Sequence, residues 1–115
     1  MKISEWVEYF DSPEDEQRLS DYAEFVNDML VVFDIDSEDM RYPSLGLAGE
    51  AGEVIEHIKK YYYHNNKAIS YEAIVKELGD VRFYYQLLLN QLGISDRFVV
   101  NKNMEKLLER HKERD

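Results

Sequence analysis

Apolar residues recur at intervals of three and four through most of this chain, in four runs separated by short polar or glycine-containing breaks. The first run, from about Glu14 to Phe33, carries Leu19, Tyr22, Ala23, Phe25, Val26, Met29, Leu30 and Phe33. That spacing predicts an amphipathic helix. The segment FDIDSEDMRYPS then breaks the period, and Pro43 suits the first turn of a second helix reaching to about Tyr63. HNNK (64–67) reads as a turn, Ser70 as an N-cap, and a third helix runs to about Gln91 before Gly93 stops it. Ser95 or Asp96 caps a fourth helix that extends into the charged tail. Ahead of all four, Ile3, Trp6, Val7 and Phe10 form a short apolar pattern ended by Asp11-Ser12-Pro13. A short extra helix or arm over residues 1–15 fits, with Trp6 as a packing anchor. Four helices, short links and no strand signal predict an all-α four-helix bundle, one domain over 1–115 with its core at about 16–111.

On helical wheels the second and third runs match each other. Leu47, Ala51, Val54 and Ile58 form the apolar stripe of the second, with Ala48 and Ile55 at its margin. Ile74, Leu78, Val81, Tyr85 and Leu92 form that of the third. One acidic phrase occurs on both: Glu50-Ala51-Gly52-Glu53-Val54 and Glu77-Leu78-Gly79-Asp80-Val81. Relative to each stripe, the first acid lies roughly 60° to one side and the second about 60° further. Either pair alone is an ordinary solvated face. Both copies, however, hold the same phase and both accept a mid-helix glycine, which costs about 1 kcal/mol against alanine. Antiparallel packing of these stripes would aim four carboxylates at one place, where a divalent cation offsets their repulsion and lost hydration.

Composition narrows the function. The net charge of −10 argues against nucleic-acid polymers and anionic membranes as partners, though not against a small phosphorylated substrate. With no cysteine, disulfides and thiolate metal sites are excluded. No apolar run approaches a membrane span, and MKISEWVEYF lacks the long apolar segment of a signal peptide. These features predict a cytoplasmic protein. The acids Asp34, Asp36, Glu38 and Asp39 loosely suggest a calcium loop, but the central glycine and distal glutamate are missing. His57 lies between the angles of Glu50 and Glu53, as a surface group or a support to the ligands, with Lys60 close by. Gly46, Gly49 and Gly52 offer a low surface for another backbone. Asn103, Lys106 and Arg110 share a stripe beside Val99 and Leu107, suited to phosphate contacts.

With these residues in view, the chain resembles the MazG-like all-α nucleoside triphosphate pyrophosphohydrolases over about Leu19 to Arg110. The likeness runs through Tyr22-Ala23-Glu24-Phe25, LGLAGEAGEV (45–54), ELGDV (77–81) with Tyr84, and Asn103-Met104-Glu105-Lys106-Leu107 with Arg110. The resemblance implies the bundle of that family. It also implies Mg²⁺-dependent cleavage of a (d)NTP between the α- and β-phosphates, giving a monophosphate and pyrophosphate in nucleotide-pool house-cleaning. Glu50, Glu53, Glu77 and Asp80 would bind Mg²⁺, with Mn²⁺ as a substitute. Tyr84, Asn103, Lys106 and Arg110 would contact substrate, and Lys60 is added from its angle. Glu53 is the preferred general base. Homodimers or homotetramers, with sites shared between subunits, are the expected assembly. The chain departs from many relatives at Arg82-Phe83, where they carry Leu-Trp, and in the run Tyr61-Tyr62-Tyr63. Two competing readings are a phosphoribosyl-ATP pyrophosphohydrolase and a non-catalytic acidic interaction module.

Overall fold

A computed structural model of the chain describes residues 13–63 and 71–112, with side chains from residue 21 onward. Residues 1–12 of the expected arm, Trp6 among them, the 64–67 turn and the Ser70 cap lie outside the described residues. Four helices make up the rest: α1 (Pro13–Phe33), α2 (Arg41–Tyr63), α3 (Tyr71–Leu92) and α4 (Asp96–Arg110). Among the described residues there is no strand, and no helix is long and apolar enough to cross a membrane. The chain is all-α.

The helix ends follow from local chemistry. Pro13 opens α1, where its missing N–H is no loss and its fixed φ is already helical. α1 closes on Asp34 in the left-handed region (φ 55), with Ile35 N–H donating to Leu30 C=O at 3.0 Å and Asp34 N–H to Val31 C=O at 3.3 Å. α3 closes identically on Gly93 (φ 70), through Ile94 to Leu89 (3.1 Å) and Gly93 to Asn90 (3.2 Å). Both are Schellman caps, which satisfy carbonyls that the last turn leaves without partners. Ser95 caps α4, its Oγ accepting from Phe98 N–H at 3.1 Å.

The acidic 34–40 segment is a connector. Asp36 Oδ1 accepts from Glu38 N–H at 2.9 Å, and Asp39 Oδ1 accepts from Arg41 N–H at 3.0 Å. The Arg41 guanidinium also donates to both Asp39 oxygens, which holds that carboxyl below its usual range. Gln91 of α3 donates to the Asp39 carbonyl at 3.2 Å and so ties this segment to the hairpin. Two of its carboxylates, those of Asp36 and Asp39, are occupied in shaping a turn.

α2 and α3 pack along each other as a hairpin, α1 packs on α3, and α4 makes only marginal contact with the other three. Among the described residues, Val26, Leu87 and Leu89 are the buried apolar side chains, with Pro43 also enclosed. Polar groups knit α1 to α3: Asn90 donates to Ala23 C=O (3.0 Å) and Asn27 Oδ1 (2.9 Å), and buried Gln86 donates to Asn90 Oδ1 (3.0 Å). Arg82 stacks on Tyr22 (4.9 Å) and Tyr85 (5.3 Å) and pairs with Asp96 at 3.4 Å, which also accepts from the Tyr85 hydroxyl at 2.9 Å. The residue that departs from the family pattern is thus a clasp joining α1, α3 and the start of α4.

The packed face of α2 differs from the expected stripe. Pro43, Gly46, Leu47, Glu50, Ala51, Gly52, Val54, His57 and Tyr61 are its sheltered positions, so three of the four expected stripe residues are sheltered, whereas Ile58 and Ile55 are exposed (41% and 62%). The face is therefore rotated about 50° from the Leu47-Ala51-Val54-Ile58 stripe. On α3, Leu78 and Leu92 of the expected stripe are likewise half exposed, as is Val75, and Tyr71 is largely exposed. Ile55, Ile58 and Tyr62 of α2 and Tyr71, Val75 and Leu78 of α3 lie toward the same end of this antiparallel hairpin. Their wheel positions turn them to one side of it, as an uncovered apolar patch.

Candidate active site

Rotation of α2 carries Glu50 from the flank onto the helix interface, opposite the first acid of the α3 copy. Glu50, Glu77 and Asp80 each bring a carboxylate oxygen within 4.8 Å of the others. Glu50 and Glu77 are partly sheltered and Asp80 is exposed. The Glu50 carboxyl is raised above the usual carboxylate range. Burial is the first cause, followed by its hydrogen bond with Glu77 and the charges of Asp80, Glu77 and Glu53. Three hard oxygen donors at this spacing fit a divalent cation such as Mg²⁺. Glu53 stands exposed at the edge of the group, outside the triad.

A cavity of about 350 Å³ opens beside these acids, lined by Phe25, Met29, Phe33, Glu50, Asp80, Phe83 and Tyr84. Phe25 and Phe33 are core positions by periodicity, yet each is about half exposed and walls this cavity from α1. Phe83 meets Phe33 edge-on at 6.3 Å and Tyr84 edge-on at 5.5 Å. The Tyr84 ring sits over Gly46, where any Cβ would collide with it. The glycine gap therefore admits an aromatic ring, while Gly49 and Gly52 have nothing within 4 Å. The Tyr84 hydroxyl lies 3.4 Å from that of Tyr42. This contact first, then burial and the charges of Tyr42, Glu50 and Asp80, push its pKa up to about 12. Tyr84 stays a neutral phenol, able to donate, across the physiological range.

Lys60 is exposed on α2, and Asn103, Lys106 and Arg110 are exposed on α4; among the described residues no hydrogen bond or ion pair joins any of them to Glu50, Glu77 or Asp80. His57, by contrast, faces α3 with Nε2 3.9 Å from Glu77 Oε1. Tyr42 and the α1 aromatics escape a reading of periodicity, since nothing in their spacing marks a cavity wall. His57 was within reach of such a reading, for the same 50° turn that brings in Glu50 brings in its neighbour two turns on.

Among the described residues, four helices place a carboxylate triad across a helical hairpin with an aromatic cavity alongside, in an all-α protein. The profile of the MazG nucleotide pyrophosphohydrolase domain matches residues 43–114. The chain is also similar to the Gene 37 protein of Mycobacterium phage L5, with 38% identity over 81 residues, 67% of this chain and 71% of that one. No solved structure matches it. The chain belongs to the MazG nucleotide pyrophosphohydrolase family. The profile match takes in α2 to α4 and stops short of α1, which supplies one wall of the cavity.

Proposed function

We propose that this protein hydrolyses (d)NTPs between the α- and β-phosphates, releasing (d)NMP and pyrophosphate, as a Mg²⁺-dependent house-cleaning enzyme of the cytoplasmic nucleotide pool. The observation that carries this reading is the convergence of Glu50, Glu77 and Asp80 at the mouth of an aromatic cavity. A nucleotide has both matching parts. Its base is a flat π-surface suited to Phe25, Phe33, Phe83 and Tyr84. Its triphosphate is an anion that carboxylates can hold only through a cation.

Glu50, Glu77 and Asp80 would hold Mg²⁺, with Mn²⁺ as a substitute. The bound ion would supply neutralisation of phosphate charge where it develops. Glu53, exposed beside the triad, is the group free to take a proton from the attacking water as its oxygen bonds to the α-phosphorus. The bond from that phosphorus to the bridging oxygen breaks, and pyrophosphate leaves with the electron pair. Tyr84, a neutral donor seated between base cavity and acids, orients the nucleotide. α1, outside the family match, supplies Phe25 and Phe33 and so sets which base is preferred.

Assembly completes the site. The patch of Ile55, Ile58, Tyr62, Tyr71, Val75 and Leu78 is the surface a second copy would cover in a homodimer or a dimer-of-dimers tetramer. Asn103, Lys106 and Arg110 form no ion pair with an acid among the described residues, and we assign them to the nucleotide held by a neighbouring subunit. The direct test is a panel of (d)NTPs with Mg²⁺, with products separated by anion exchange. Pyrophosphate and a monophosphate in equal amounts are expected. Orthophosphate with a diphosphate refutes the cleavage position, and no turnover of any nucleotide refutes the enzyme.

A further inference from the structure

Resting on the metal site proposed above, we infer that His57 is a positioning residue that fixes the Glu77 carboxylate as a metal ligand. Glu77 stands between two α2 side chains. Glu50 lies on one side, its carboxylate oxygen within 4.8 Å of that of Glu77. His57, seven residues and two turns further along the same packed face, places Nε2 3.9 Å from Glu77 Oε1 on the other side, a few tenths of an ångström beyond a hydrogen bond. Both side chains are only partly open to solvent, His57 at 30% and Glu77 at 25%, so neither is free to swing widely.

The chemistry explains why such a group is useful. A glutamate has three side-chain torsions to restrain, and Glu77 faces two like charges, Glu50 and Asp80, within the triad. Repulsion favours a rotamer turned out to water. An imidazole N–H directed at Oε1 opposes that motion and leaves the second oxygen for a cation. Partners of this kind typically matter 10–100-fold in metal affinity. Other basic residues on α2 are not placed to substitute: Lys59 pairs with Glu56 at 3.9 Å, and Lys60 points to solvent. His57 is itself outside the triad, so it acts through Glu77.

Calorimetric titration of the full chain with MnCl₂ tests this, using wild type, H57Q, H57N and H57L. H57L removes the donor, and H57N carries an amide too short to span the gap. Both are expected to bind Mn²⁺ about tenfold or more weakly, with helicity unchanged by circular dichroism. H57Q retains a reachable N–H and is expected to stay within a few-fold of wild type. In hydrolysis, H57L should need correspondingly more Mg²⁺ for half-maximal rate, with kcat at saturating Mg²⁺ preserved. Equal Mn²⁺ affinity in wild type and H57L overturns the inference, as does an H57Q loss as large as that of H57L. Wild-type protein that binds no Mn²⁺ overturns the metal site itself, a different and separable result.

Discussion

Replacing Asp80 with asparagine, or Glu77 with glutamine, is expected to reduce pyrophosphate release by at least about 10²–10³-fold, the scale set by removing one electrostatic contact to a developing charge. The same substitutions should leave the melting temperature of the metal-free protein unchanged or higher. Three carboxylates with oxygens within 4.8 Å of one another repel once ionised, and burial first, with these like charges after it, raises the Glu50 carboxyl. An amide removes the charge and keeps the shape. Function and stability therefore move in opposite directions, the signature of a site kept for chemistry. A marked drop in melting temperature would show the acids to be structural. Glu53→Gln separates the roles further. Being outside the triad, it should lose rate by about 10²–10⁴-fold as a general base does, while Mn²⁺ affinity changes little.

The second large effect concerns assembly. Wild-type protein is expected to show a light-scattering mass of at least twice the 13.7 kDa chain, and the double variant Ile58→Glu with Leu78→Glu a mass near one chain. Both residues sit in the uncovered hairpin patch, at 41% and 51% exposure, so folding of the single chain has little reason to resist a charge there. A charge buried against a second copy is another matter, since unpaired burial is costly enough to prevent association. The monomeric variant should also lose turnover, because the α4 cations belong to a neighbour's nucleotide. A double variant that is monomeric yet fully active contradicts that assignment, and a monomeric wild type contradicts the assembly.

Most of the architecture was legible from local signals. Gly93, Ser95 and the proline at 13 mark helix ends through φ preferences and caps, which act over a few residues and need no tertiary context. The phase of α2 was not legible, for a physical reason. Its apolar residues serve two surfaces: Leu47 and Val54 pack on α3, whereas Ile55 and Ile58 belong to the uncovered patch. A wheel averages the two and points between them. That single averaging error set Glu50 on the flank, made Glu53 its equal, and left His57 without a partner.

The cavity was hidden for a different reason. Phe25, Phe33, Phe83 and Tyr84 come from two helices far apart in sequence, and only the register of α1 on α3 brings them together. Periodicity gives each of the α1 aromatics a core face and cannot say that the core has an opening there. Arg82 shows the same limit. In sequence it is a charge on a stripe margin; in the fold it is held by Tyr22, Tyr85 and Asp96.

Diffraction from crystals grown with Mn²⁺ and a non-hydrolysable nucleotide analogue, collected for the manganese anomalous signal, would test the metal site most directly. An anomalous peak is predicted between α2 and α3, about 2 Å from oxygens of Glu50, Glu77 and Asp80, with the analogue's base against Phe83 and Tyr84. Absence of a peak there, with the three side chains turned separately into solvent, would contradict it.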